Sequence, residues 1–258
     1  IMVLGEHGLQ SGEGRSRTRL DLPGVQQELL EEVYKVNSNI VLVLQNGRPL
    51  ALPWADEHIP AILEAWHLGS ESGNAIAEIL YGDYNPSGKL PMTFPRHVGQ
   101  VPIYYNHKST GRPKLPSPGE VFWSHYTDEK HTPLYPFGFG LSYTTFDFEE
   151  LTIDNSYTEN NTVRVSVKVT NTGQKSGKVT TQLYLQDEFA SVTRPVRELK
   201  AFEQVELNPG ESRVLSFQLQ DKDLGFYNNG GEFLIEEGGF QVFVGEDSQA
   251  QLSNSFEL

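Results

Sequence analysis

The chain has 258 residues, with 20 Lys+Arg against 34 Asp+Glu for a net charge of −14, and it contains no cysteine. Two ordinary domains fit in that length, each large enough to bury a core without staples. The acidic balance argues against a nucleic-acid backbone or an anionic membrane surface as the main partner, and the lack of cysteine excludes disulfides, thiolate metal sites and a cysteine nucleophile.

The chain opens on an apolar run, Ile1–Gly5, which reads as a buried strand. Neither a basic segment nor a cleavage site accompanies it, so it does not read as a signal peptide. Ile at position 1 is not expected as a translational start, and the chain reads as a piece of something longer. Val25, Leu29, Leu30, Val33 and Val36 recur near helical spacing. Ile40–Leu44 is a second apolar run, stopped by the turn pair Asn46-Gly47, and Ala61–Trp66 is a third. Ser72–Leu80 carries Ala75, Ile76, Ile79 and Leu80 on one helical face, with Ser70 or Ser72 as cap and Gly82 as stop. Leu90–Phe94 is expected as a fourth strand. Apolar strands separated by helices predict a mostly parallel sheet covered on both faces, and four strands suggest that the fold's beginning lies elsewhere.

From Val101 to Tyr143 the periodicity fails, and prolines recur among Gly, Tyr and His. That composition is too aromatic for a flexible linker and reads as an ordered, extended connection. After Phe146 the period becomes two: Val163, Val165, Val167 and Val169 alternate with Arg164, Ser166, Lys168 and Thr170. Thr181–Leu185, Val214–Leu219, Phe233–Ile235 and Phe240–Val244 continue it, separated by turn groups such as Asn208-Pro209-Gly210. The prediction is an antiparallel β-sandwich of immunoglobulin-like size. Residues 1–146 hold 11 Lys+Arg and 15 Asp+Glu (net −4) and residues 147–258 hold 9 and 19 (net −10), while every His and Trp lies in the first part. Chemistry is therefore expected before residue 146, and the rest reads as an acidic scaffold.

The most unusual stretch runs from Gly5-Glu6-His7-Gly8 to Ser11-Gly12-Glu13-Gly14-Arg15-Ser16-Arg17. It follows a buried strand, at the end where open α/β sheets place their ligands. Glycines on either side present Glu13 with little crowding, as suits a general acid or base. The competing reading is a solvated loop in which Glu13 pairs with Arg15, Arg17 or Arg19. The dinucleotide fingerprint is not completed, and a central carboxylate would repel phosphate. Gly69-Ser70-Glu71-Ser72-Gly73 has Glu where a nucleophile elbow has serine, and a helix start explains it better. No histidine pair has the H-E-x-x-H spacing, so no metal is expected. Asn160-Asn161-Thr162 fits a glycosylation sequon. Trp54, Trp66 and Trp123 suit either sugar stacking or core.

Taken together, several stretches resemble glycoside hydrolase family 3, and within it the bacterial periplasmic β-glucosidase group. They are Gly5-Glu6-His7 with Ser11-Gly12-Glu13-Gly14, the segment from Asp83-Tyr84-Asn85-Pro86-Ser87-Gly88-Lys89 to Phe94-Pro95, Val101-Pro102-Ile103-Tyr104-Tyr105-Asn106-His107-Lys108, and Pro133 through Thr144. The resemblance runs along essentially the whole chain, in order. It implies that residues 1–100 are the later part of an α/β sandwich domain, 101–143 the connection, and 144–258 a fibronectin type III-like domain. It implies a retaining, exo-acting β-glucosidase with Glu13 as general acid/base and an aspartate nucleophile on a (β/α)₈ barrel domain not visible here. The chain alone is then expected to be inactive. His7, Arg17, Trp66, His125 and Tyr126 are the substrate-binding candidates, with Arg17 expected to face structural carboxylates or sugar hydroxyls and not Glu13. No cofactor is implied, and no nucleic acid or membrane span. The expected partners are an oligosaccharide or β-glucoside substrate and the barrel domain; a homodimer is compatible with this, and the location is periplasmic or secreted. The alternative from another class is a non-catalytic carbohydrate-binding or adhesive fragment in which Glu13 is incidental.

Overall fold

The computed structural model describes residues 1–109, 125–155, 157 and 161–258. Trp123 and Asn160, named above as stacking and glycosylation candidates, lie outside the described residues. The chain divides into two compact units. The first comprises Ile1–Tyr84, Met92–Ile103 and His125–Tyr135, and the second comprises Asn85–Pro91, Tyr104–Ser124 and Pro136–Leu258. Of the connection read over 101–143, residues 110–124 lie outside the described residues; of the rest, 101–103 and 125–135 belong to the first unit and 104–109 and 136–143 to the second.

The first unit is built on a parallel sheet of β1 (Met2–Gly5), β2 (Val41–Gln45) and β3 (Ala61–Glu64) in the order β1-β2-β3. Leu42, Val43 and Leu44 of the central strand are fully buried, as a strand covered on both faces requires. The edge strand β1 leaves Val3 exposed, so the covering expected on both faces is incomplete there. Helix α1 (Gln26–Val36) forms where helical spacing was read, but of that apolar set it buries only Leu30, with Val33 half-buried and Val25, Leu29 and Val36 exposed. Helix α2 (Pro53–His58) has only six residues, too few for a visible period; Pro53 starts it, with no N–H to leave unpaired. Trp54 stacks on His58 across one turn of α2, with ring centroids 4.4 Å apart, and Tyr34 of α1 meets both rings edge-on. Helix α3 (Ser72–Tyr81) ends on Gly82 at φ 82°, a left-handed stop that glycine adopts without strain. Its N-cap position is Glu71, and neither Ser70 nor Ser72 caps it by a side-chain hydrogen bond.

Leu90–Phe94 is not a fourth strand of this sheet. Pro91 and Pro95 remove ladder donors, and the segment is divided between units. The Leu90 N–H bonds the Phe139 carbonyl in the second unit, whereas Phe94 forms a two-residue bridge with Tyr135 in the first. Phe94 is buried, with the rings of Trp66 and Tyr135 against its edges.

The second unit is an all-β sandwich. One sheet runs β4 (Phe146–Asn155), β5 (Val163–Asn171), β8 (Ser212–Leu219), and the other runs β12 (Leu252–Glu257), β11 (Gly239–Gly245), β6 (Gly177–Asp187), β7 (Glu198–Leu207). A single apolar cluster lies between them, holding Val163, Val165, Val167 and Val169 from one sheet and Leu183, Leu185, Val242 and Val244 from the other. A short hairpin, β9 (Phe226–Tyr227) with β10 (Phe233–Leu234), follows the one-turn helix α4 (Asp221–Leu224). Strand β4 escapes a period-two reading because Glu150, at φ 54°, sits in a bulge between Glu149 and Thr152. Phe146 and Phe148 therefore precede the shift, and Leu151 and Ile153 follow it on the same core. Among the described residues, no helix is long and apolar enough to cross a membrane.

Two glycines near the end of β1 give contrasting expectations. Gly5 is at φ 140°, and a Cβ there would run into the Gln45 carbonyl oxygen. Gly8 has open space around it. In denaturant unfolding, Gly5→Ala should cost about 3 kcal/mol, whereas Gly8→Ala should stay within about 0.5 kcal/mol. Equal effects would contradict this packing.

Candidate functional site

The loop that follows β1 starts from a strongly fixed point. The Gly5 N–H donates to Gln26 Oε1 at 2.7 Å, and Gln26 Nε2 donates back to the Gly5 carbonyl at 2.9 Å, so the first residue of α1 clamps the strand end. The Glu6 N–H continues the pairing to the Gln45 carbonyl at 2.7 Å. The Glu6 side chain is fully buried and collects three donors: Arg17 Nη1 at 2.9 Å, Arg48 Nε at 2.9 Å and the Gly47 N–H at 3.2 Å. Burial works against its charge, but the bonds from Arg17, Gly47 and Arg48 outweigh it and hold the carboxyl below its ordinary range.

Beyond Glu6 the loop folds on itself. The Leu9 N–H donates to His7 Nδ1 at 3.1 Å, and the Gln10 N–H to the His7 carbonyl at 2.7 Å. The Arg15 N–H then donates to the Gly12 carbonyl at 3.2 Å and closes a four-residue turn over Glu13 and Gly14. Gly14, at φ 67°, occupies the third position of that turn, where a left-handed residue is needed. Glu13 is left at the tip. It is exposed, and its carboxylate has no hydrogen-bond or ion-pair partner among the described residues. The pairing with Arg15, Arg17 or Arg19 weighed from the sequence does not form: Arg17 goes to Glu6 and to the Asp21 carbonyl, Arg19 goes to Asp21, and the Arg15 side chain makes no ion pair with Glu13.

His7, Glu13 and Arg17 thus share one loop. Trp66 and Tyr126 have their contacts elsewhere in the unit. Trp66 is half-buried at φ 51°, with its N–H donating to Glu64 Oε1 at 3.0 Å and its ring against Phe94. The Tyr126 hydroxyl donates to the Gly99 carbonyl at 3.3 Å, and His125 beside it is exposed.

Sequence reasoning missed the polar residues that end the strands. Arg48 follows the Asn46-Gly47 pair, which reads locally as nothing more than a turn. Its Nη2 reaches the Gln10 carbonyl at 2.6 Å and the Arg15 carbonyl at 2.9 Å, both in the Glu13 loop. Asn46 is fully buried and donates to the Arg48 carbonyl at 2.8 Å and to Glu64 Oε2 at 3.3 Å. For Glu64, burial prevails over the bonds from Trp66 and Asn46 and pushes the carboxyl up to about 7. The position of each at the C-terminal end of a parallel strand was the available signal.

Comparison with known proteins bears on both units. A family model for the glycosyl hydrolase family 3 C-terminal domain matches residues 1–143, and one for a fibronectin type III-like domain matches residues 179–248. A periplasmic beta-glucosidase of Salmonella typhimurium is 47% identical over 259 residues, covering 100% of this chain and 34% of that protein. A beta-xylosidase of Formosa agariphila is 43% identical over 251 residues, covering 97% of this chain and 34% of its own length. The crystal structure of a beta-glucosidase from Listeria innocua in complex with glucose superposes with a TM-score of 0.94 at 40% identity, covering 99% of this chain and 36% of that one. The chain spans about a third of the length of these relatives.

Buried Glu6 and half-buried Glu64 shape stability with pH in opposite directions. The unfolded chain releases the Glu64 proton near its ordinary value of 4.5, whereas the folded chain keeps it to about 7. The folded state binds more protons in that window, so Glu64 removes stability as pH rises through it. Glu6, held low, contributes stability above its ordinary value that is lost on acidification. Denaturant unfolding between about pH 5 and about pH 7 should show a shallower fall in stability for Glu64→Gln than for the unaltered chain. Parallel slopes would contradict this assignment.

Proposed function

The chain belongs to glycosyl (glycoside) hydrolase family 3, and we propose that it is the C-terminal portion of a retaining, exo-acting β-glucosidase to which it supplies the general acid/base, Glu13. The observation that carries this reading is the presentation of Glu13: an exposed, unpartnered carboxylate at the tip of a glycine-flanked turn, beyond the C-terminal end of a parallel strand. Around it, two arginines of the same loop are engaged with Glu6 and Asp21. The beta-glucosidase relatives support the reaction class, and the beta-xylosidase relative keeps the identity of the sugar open.

The chemistry needs a second carboxyl group, about 5–5.5 Å from the first in a retaining enzyme. We assign it to an aspartate on a barrel domain of the longer polypeptide. In the first step the protonated Glu13 carboxyl gives its proton to the glycosidic oxygen as the aspartate attacks the anomeric carbon. The C–O bond to the leaving group breaks, and a glycosyl-enzyme ester forms. In the second step the Glu13 carboxylate takes a proton from water, whose oxygen displaces the aspartate and releases the sugar. Glu13 begins and ends protonated.

His7 Nδ1 is engaged with Leu9, which leaves Nε2 as the ring nitrogen available to a sugar hydroxyl. Trp66, Arg17, His125 and Tyr126 remain candidate contacts for the outer part of the site. The fibronectin type III-like domain acts as a brace in this scheme. The name of the Salmonella relative supports a periplasmic or secreted location.

In the longer polypeptide, Glu13→Gln should lower kcat on an aryl β-glucoside by about 10²–10⁴-fold. Added azide should restore part of the turnover for good leaving groups. The 258-residue chain alone should turn over no substrate. Unchanged activity of the Glu13→Gln enzyme would overturn the assignment.

A further inference from the structure

We infer that Arg48 is a positioning residue for Glu13, through which the end of β2 sets the shape of the catalytic loop; this rests on the reading of Glu13 given above. The loop makes a long excursion from β1 before it reaches α1, and a glycine-rich segment of that kind has many shapes available to it. Arg48 removes most of them. Its Nη2 donates to the carbonyl of Gln10, three residues before Glu13, and to the carbonyl of Arg15, two residues after it. One guanidinium nitrogen therefore gathers both limbs of the loop.

The other side of the same guanidinium is also fixed. Its Nε lies 2.9 Å from Glu6 Oε1 and 3.2 Å from Glu6 Oε2, and Glu6 is itself held by Arg17 and by the Gly47 N–H. The Arg48 side chain is 20% exposed, so its orientation is set mainly by protein and not by water. Gly47 completes the seat: Ser11 of the loop lies where a Cβ of residue 47 would be, so the loop packs directly on the turn after β2. Arg48 donates to carbonyls on both sides of Glu13; without it, the two sides stay joined across Glu13 by the Arg15-to-Gly12 hydrogen bond, and the far limb stays tied to the sheet by Arg17 on Glu6. The planar fork of arginine is the feature that matters, since an ammonium group cannot hold Glu6 and two separate carbonyls in one fixed plane.

A carboxyl that must deliver a proton to one oxygen is sensitive to small displacements, and a misplacement of about 1 Å can cost about 10²-fold in rate. The loss should have a signature. Proton donation matters most for leaving groups that depart poorly as anions and least for those that depart readily. In the longer polypeptide, Arg48→Met should therefore lower kcat/KM by about 10²-fold for alkyl or phenyl β-glucosides and by less than about tenfold for a dinitrophenyl β-glucoside. Arg48→Lys should recover only part of the loss.

In the 258-residue chain, hydrogen exchange of residues 8–18 should quicken in Arg48→Met while the strands of the second unit stay protected. A loss equal across all leaving groups, as from a smaller folded fraction, would overturn the inference, as would unchanged kinetics or unchanged exchange. Should Glu13→Gln itself show no dependence on leaving group, the reading of Glu13 fails. The exchange measurement then decides separately whether Arg48 shapes the loop.

Discussion

One buried carboxylate organises the first unit. Glu6 sits where β1 ends, with its side chain removed from solvent, and it must be compensated there because an unpaired buried charge is costly. The compensation comes from three places in the chain: Arg17 from the far limb of the loop, and Gly47 and Arg48 from the turn after β2. Removing one partner of such a buried pair typically costs about 3–5 kcal/mol, so the loop is bound to the sheet by the same interaction that makes the sheet end stable. Fold and site share a constraint here. A sequence that satisfies Glu6 has already set the two limbs of the Glu13 loop.

The same edge of the sheet shows how polarity accumulates at the ends of parallel strands. Glu6, Asn46 and Glu64 follow or end three neighbouring strands, and each lies among groups that are largely withheld from water. Asn46 joins the neighbours by donating to the Arg48 carbonyl and to Glu64, while its own Oδ1 has no partner among the described residues. Glu64 in turn accepts the Trp66 N–H and so holds Trp66 in a left-handed conformation, with its ring on Phe94. The two carboxylates differ in environment: at Glu6 two guanidinium groups and the Gly47 N–H outweigh burial and hold the pKa low, whereas at Glu64 burial raises the pKa and the two neutral donors only partly offset it.

The parts legible in the sequence were those in which periodicity and burial coincide. Val163, Val165, Val167 and Val169 alternate without interruption and all enter the sandwich core, and the Ile40–Leu44 run is apolar because the strand it forms is covered on both faces, with Leu42, Val43 and Leu44 buried. Strand β4 was hidden by the Glu150 bulge, which changes the phase of its alternation, and α2 by its length. Leu90–Phe94 has the composition of a strand, but its prolines leave it as a segment bonded in turn to Phe139 and to Tyr135. The glycine-flanked turn that presents Glu13 was legible because it is built from its immediate neighbours, whereas the general acid/base role came from the family resemblance and not from those residues. Arg48 was not legible, because its role depends on carbonyls 38 and 33 residues away and on a carboxylate 42 residues away. No local pattern records contacts of that range.

The central claim is that Glu13 is the carboxyl that exchanges a proton with the glycosidic oxygen. The most direct measurement is affinity labelling of the longer polypeptide with a bromoacetyl β-glucosylamine, which carries an electrophile at the aglycone position. Peptide mapping by mass spectrometry then identifies the ester. The account predicts inactivation with one label, placed on Glu13 and prevented by a competing sugar. Inactivation with the label on Glu6, Glu71 or any other carboxylate, and Glu13 unmodified, would contradict it.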